Sequence, residues 1–153
     1  MSNLLSNEGK IIAVDFDGTV VEHKYPAIGK EMLFAFATLK ELQKKGHRLI
    51  LWTYRAGKTL DEAVEYCKQN GVEFYAVNKN YPEEVLDENI SRKIIADIYI
   101  DDRNVGGFLG WSEVWQHLHP EGGDFLHQLK NAEAHHNYNK GESGGLFKKL
   151  FGK

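Results

Sequence analysis

Ile11-Ile12-Ala13-Val14 offers no polar position that could face water, and the run ends in Asp15-Phe16-Asp17-Gly18-Thr19. Such an aliphatic run is the pattern of a strand covered on both faces, which is how parallel sheets are built. Side chains alternate along a strand, so Asp15 and Asp17 leave it on the same side. Gly18 then permits a turn that a Cβ would obstruct. Two carboxylates that close repel each other and raise one pKa unless a cation sits between them. Magnesium is the cation that hard oxygen ligands suit. Asp before Gly is also ordinary turn chemistry, so the rest of the chain has to decide between a turn and a site.

The apolar pattern recurs down the chain and alternates with helical periodicity. A first strand over 10–16 is followed by a loop over 18–29 and a helix over 30–45, with Met32, Ala35, Leu39 and Leu42 on one face and Gly46 as its stop. A second strand over 48–53 ends at Thr53. Thr59 and Glu62 then form a capping-box pattern for a helix that runs to Asn70, before Gly71. Leu60, Val64 and Cys67 share a face of that helix, which makes Cys67 a core residue. A third strand over 73–77 leads into a polar segment opened by Tyr81-Pro82, with a short helix through Leu86. A fourth over 97–100 runs into Asp101-Asp102, and a last helix carries the stripe Trp111, Val114, Trp115 and Leu118. Alternating strands and helices predict an α/β fold with a central parallel sheet covered on both faces. Ligands of such sheets sit beyond the carboxyl ends of the strands. Asp15, Asp17, Thr53, Asp101 and Asp102 all stand there.

At 153 residues the chain is long enough to bury about 68–70% of the surface its unfolded form exposes. A formal net charge of −3 argues against a general polyanion-binding surface. Cys67 has no cysteine partner, Met1 to Ser6 lacks a basic and apolar leader pattern, and no apolar run approaches the roughly 20 residues of a membrane span. These features predict a cytoplasmic protein. The composition shifts near residue 121, so the expected division is a core over 1–120 and a C-terminal extension over 121–153. In that extension Asn139 to Gly145 reads as a linker and 146–151 as a short basic amphipathic end. That end is either a solvated tail or a contact for a partner, a second copy or a membrane surface. The lone histidines, among them His117, His119, His135 and His136, read as scattered solvent-facing residues rather than a zinc site.

In chain order, Asp15-Phe16-Asp17-Gly18-Thr19, Thr53, a lysine and Asp101-Asp102 resemble the motifs of the haloacid dehalogenase (HAD-like) superfamily of aspartate-nucleophile phosphohydrolases, over roughly residues 10 to 118. The resemblance implies a Rossmann-like three-layer α/β/α core and a magnesium-dependent phosphomonoesterase. Asp15 would be the nucleophile that forms an aspartyl-phosphate, and Asp17 the general acid and base. Magnesium would be held by Asp15, the Asp17 backbone carbonyl, and Asp101, with Asp102 orienting the shell around it. Gly18 and Thr53 would bind the phosphoryl group, with Lys93 as the balancing cation or Lys79 as the alternative. Arg55 would reach the substrate or brace its loop, and His23 and Tyr25 in the flap after the first motif are candidate substrate contacts.

About ten residues separate Thr19 from Lys30 and about forty separate Thr53 from Lys93, so neither gap holds a cap domain. The resemblance therefore implies a capless member with an open site, whose substrate is a phosphorylated molecule of unspecified identity. A receiver module also gathers acids, a threonine and a lysine around magnesium, but its acidic pair follows the first strand. Here the pair follows the fourth. A phosphate- or protein-binding module with the same fold and little catalysis is the other alternative.

Overall fold

The computed structural model describes residues 9–125 and 127–131. The extension from 132 onward, with its linker, His135, His136 and the amphipathic end at 146–151, lies outside the described residues. Four strands, β1 (Ile11–Val14), β2 (Arg48–Leu51), β3 (Ala76–Val77) and β4 (Ile98–Ile100), form one sheet in the order β3-β2-β1-β4, and every pairing is parallel. Named helices among the described residues are α1 (Ala35–Lys44), α2 (Gly57–Gln69) and α3 (Trp111–Leu118). The protein is thus an α/β fold on a parallel sheet. No helix among the described residues is long and apolar enough to cross a membrane.

The register aligns Ala13 with Ile50, and Ile50 with Ala76. These three residues make one face of the sheet, and Ile94, Ile11, Trp52 and Ala96 complete the cluster on it. Ile94 and Ala96 belong to the connection from β3 to β4, which contains no helix. The short helix expected through Leu86 is therefore absent. Hydrogen bonds fix that connection instead. Glu84 accepts the Asn80 backbone N–H at 2.7 Å and the Asn80 side-chain amide at 2.8 Å, and Asn80 Oδ1 accepts from the Ile95 N–H at 2.7 Å. These bonds hold the Glu84 carboxyl below its ordinary range.

Other departures from the sequence reading are also local. Helix α1 starts at Ala35 rather than 30, because Met32 N–H bonds back to Val20 and Glu31 pairs with Val21, drawing 30–32 into the flap. Glu31 Oε1 then accepts the Phe36 N–H. The capping box does not form. Helix α2 begins at Gly57, so Thr59 lies inside its first turn and donates its hydroxyl to the Ala56 carbonyl. Cys67 is buried, and burial pushes its thiol up to about 12, which leaves it a core residue without thiolate character. The chain divides into two compact units between Trp111 and Ser112. In the second, the Trp115 ring packs edge-on against Phe125 and beside His119.

Candidate functional site

Strand β1 lies between β2 and β4, so successive connections leave it in opposite directions and open a crevice at its carboxyl end. The ladder continues past the strands, since Asp15 N–H donates to Ile100 O at 2.9 Å and Trp52 N–H to Val14 O at 2.8 Å. This carries Asp15 alongside Asp101. Carboxylate oxygens of Asp15, Asp101 and Asp102 lie within 4.8 Å of one another, which makes them a metal-competent group among the described residues. Thr19 is fully buried behind them. Its hydroxyl donates to Asp15 Oδ2 at 3.1 Å and accepts the Asp102 N–H at 3.1 Å, while its carbonyl accepts Trp111 Nε1 at 2.8 Å. One hydroxyl therefore links the ends of β1 and β4.

Burial pushes the Asp15 carboxyl up to about 7, and the nearby Asp101 and Asp102 charges add to the rise against the opposing hydrogen bonds from Phe16 and Thr19. Asp102 Oδ1 is buried and receives no hydrogen bond from the described residues. A carboxylate oxygen left so is costly unless a cation completes it.

Gly18 has φ +90, and a Cβ there would lie 2.2 Å from Asp102 Oδ2. Gly18→Ala should therefore both strain the turn and push Asp102 aside. An urea-unfolding loss of roughly 1–3 kcal/mol is the expected result, from a side chain placed at positive φ together with the displaced acid. An unchanged midpoint would show the turn to be more yielding than this packing indicates.

Asp17 goes elsewhere. Its two oxygens accept Arg55 Nε and Nη2, each at 2.7 Å, with the Arg55 side chain fully buried and that of Asp17 only 10% exposed. Arg55 also donates to the carbonyls of Pro26, Ala27 and Thr59, so all five of its N–H groups are used by the protein. Its guanidinium lies between the Phe16 ring at 5.0 Å and the Tyr25 ring at 5.3 Å. The hydrogen bonds to Asp17 push its pKa above the ordinary value. Of the two roles expected for Arg55, the geometry is that of a brace.

A cleft of about 1190 Å³ opens over the acids, and its lining includes Asp15, Asp17, Thr53, Asp101, His23 and Tyr25. Thr53 is held through its N–H by Asn78 Oδ1 at 2.8 Å, and its Oγ1 accepts the Arg55 N–H. Asn78 itself takes φ 51, a left-handed conformation that Asn tolerates. Lys93 and Lys79 are not among the lining residues. Lys93 is exposed with its ammonium 5.5 Å from the Tyr99 ring, and Lys79 Nζ donates to the Pro82 carbonyl. The cations that line the cleft are Arg92 and Arg103. Trp52, Tyr54 and Asn78 line it too; Trp52 and Tyr54 carried no site signal in the sequence, while Asn78 stands just past a strand.

A solved structure of a conserved protein from Bacteroides thetaiotaomicron is 54% identical to this chain, with a TM-score of 0.70, and the match covers 74% of this chain and 93% of that one. The two chains belong to one family. That relative supports the shared fold. No family model matches the sequence, and no curated protein matches it.

Proposed function

We propose that the protein is a magnesium-dependent phosphomonoesterase of the HAD-like type, working through an aspartyl-phosphate on Asp15. The observation that carries this reading is the sorting of the carboxylates: Asp15, Asp101 and Asp102 converge within 4.8 Å, while Asp17 is held on Arg55 at the edge of the same cleft. The sheet order, with the acids at the point where the connections reverse, supports a Rossmann-like core. Absence of any helix in the described segments 18–34 and 78–97 supports a capless form.

The donor set fits magnesium, because it offers hard oxygens, a buried Asp102 oxygen without a hydrogen bond, and an Asp15 carboxyl that resists ionising alone. Asp15 and Asp101 would hold the ion, with Asp102 beside them and the Asp17 carbonyl as the further ligand. Bound there, it would neutralise the acids and the phosphoryl oxygens. Asp15 attacks phosphorus, the ester P–O bond breaks, and Asp17, carrying a proton in the reacting form of the enzyme, gives it to the departing alkoxide. Asp17 then takes a proton from the water that cleaves the aspartyl-phosphate, releasing inorganic phosphate and restoring Asp15. Arg55 uses one lone pair on each Asp17 oxygen, which leaves the others for this proton traffic. Thr53 Oγ1 accepts from Arg55 N–H, so its own hydrogen is available to a phosphoryl oxygen. Arg92 and Arg103 are the cations placed to balance the phosphate; Lys93 would have to leave the Tyr99 ring to do so.

The test is hydrolysis of p-nitrophenyl phosphate with magnesium and with a chelator. Turnover that requires the metal is expected. Metal-independent turnover, or none with magnesium present, would overturn the reading, and phosphate binding without turnover would favour a binding module. Asp101→Ala and Asp102→Ala, titrated with magnesium, should separate the two acids. Asp101→Ala should weaken metal affinity more, and equal losses would reject the division between them.

A further inference from the structure

The cleft is larger and more aromatic than a phosphate needs, since Tyr25, Trp52 and Tyr54 all line it. Tyr54 follows Thr53 directly, lines the cleft, and leaves 91% of its surface exposed. Its ring meets the edge of Tyr25 at 6.2 Å and 72°, and Tyr25 is itself seated over the braced Arg55. Tyr54 is thus an open aromatic face steadied by the Tyr25 ring, one residue from Thr53. A ring left this exposed is a stacking platform, since any planar base offers it a π face. Other lining residues narrow the partner. Asp87 and Glu88 supply acceptors for hydroxyl or amino donors, while Arg92 and Arg103 supply the cations of the same lining.

Resting on the phosphatase reading above, we infer that the substrate is a nucleoside monophosphate whose base stacks on Tyr54 while its phosphate sits at Asp15. The cleft volume of about 1190 Å³ accommodates a ligand of that size.

The experiment compares adenosine 5′-monophosphate with ribose 5-phosphate, which is the same ester without the base, on the full chain with magnesium. The wild-type protein should prefer the nucleotide in kcat/KM. Tyr54→Ala should lower the ratio of the two kcat/KM values roughly ten-fold, the order of one base–aromatic stack, while Tyr54→Phe should keep it. Equal wild-type values, or a ratio unmoved by Tyr54→Ala, would overturn the inference. So would p-nitrophenyl phosphate exceeding the nucleotide with the same Tyr54 dependence, because the ring would then be bonded directly to the phosphate oxygen. Calorimetric binding of both ligands to the wild-type protein is measured alongside. If no ester is hydrolysed, the phosphatase reading fails, and tighter binding of the nucleotide than of ribose 5-phosphate still decides whether Tyr54 receives a base.

Discussion

Asp15→Asn should abolish phosphomonoester turnover, by roughly 10³-fold or more, while leaving the fold intact. The amide has the same shape, and its oxygen can still accept the Thr19 hydroxyl that Asp15 Oδ2 accepts. What it loses is the proposed nucleophile. It also loses a charge that the folded protein resists, and this gives the substitution a second, opposite signature. The Asp15 carboxyl is raised from 3.8 to about 7 in the folded protein, so the stability it contributes is present below the unfolded value and is lost as pH climbs through about 7. In chelator, wild-type thermal stability should therefore fall between pH 5 and pH 8 through this group, and Asp15→Asn should remove that part of the fall. Added magnesium should raise the wild-type melting temperature more at pH 8 than at pH 5, because only the ionised carboxylate is a ligand. Residual activity within ten-fold of wild type would end the covalent mechanism. A variant with the same pH slope as wild type would place the ionisation elsewhere.

The sheet was legible because its signal is redundant. Ile11 to Val14 and Leu49 to Leu51 are apolar at every position, and a strand buried on both faces leaves no other arrangement. The acids were legible for a related reason, since Asp15 directly follows such a run and the Asp101-Asp102 pair follows Ile98-Tyr99-Ile100. What stayed hidden depends on side chains meeting across long sequence distances. The start of α1 was obscured because the apolar period includes Met32, while the bond that removes it from the helix comes from Val20 in the flap. The connection from β3 to β4 looked able to turn into helix, but Glu84 and Asn80 provide hydrogen bonds that a helix there would have to displace. Lys93 had suitable spacing yet lies on Tyr99, whereas Arg92, its neighbour in sequence, faces the cleft. The chain bends at 92–93, where the Lys93 N–H donates to Ser91 Oγ, and neighbouring side chains there part between cleft and surface.

Arg55→Ala should be among the most damaging single changes in the chain, with an expected loss of roughly 3–5 kcal/mol in urea unfolding, the magnitude for removing one partner of a buried ion pair. The residue joins four segments. Its guanidinium holds Asp17 after β1, Pro26 and Ala27 in the flap, and Thr59 in the first turn of α2, while its own backbone bonds Thr53. Removal leaves the Asp17 carboxylate and three carbonyls without their donors, and withdraws the support beneath Tyr25. Arg55→Lys tests geometry apart from charge. An ammonium has three donors and no planar fork, so it cannot reproduce five directed bonds, and a substantial part of the loss should remain. The double variant Arg55→Ala/Asp17→Asn should cost less than the sum of its parts, because an amide needs no buried counter-charge. Strict additivity, or a loss under about 1 kcal/mol for Arg55→Ala, would mean that the pair contributes no more than a surface ion pair. Coupling of the expected sign would establish that the brace which places the Asp17 carboxylate is the same one that holds the flap and the start of α2 together.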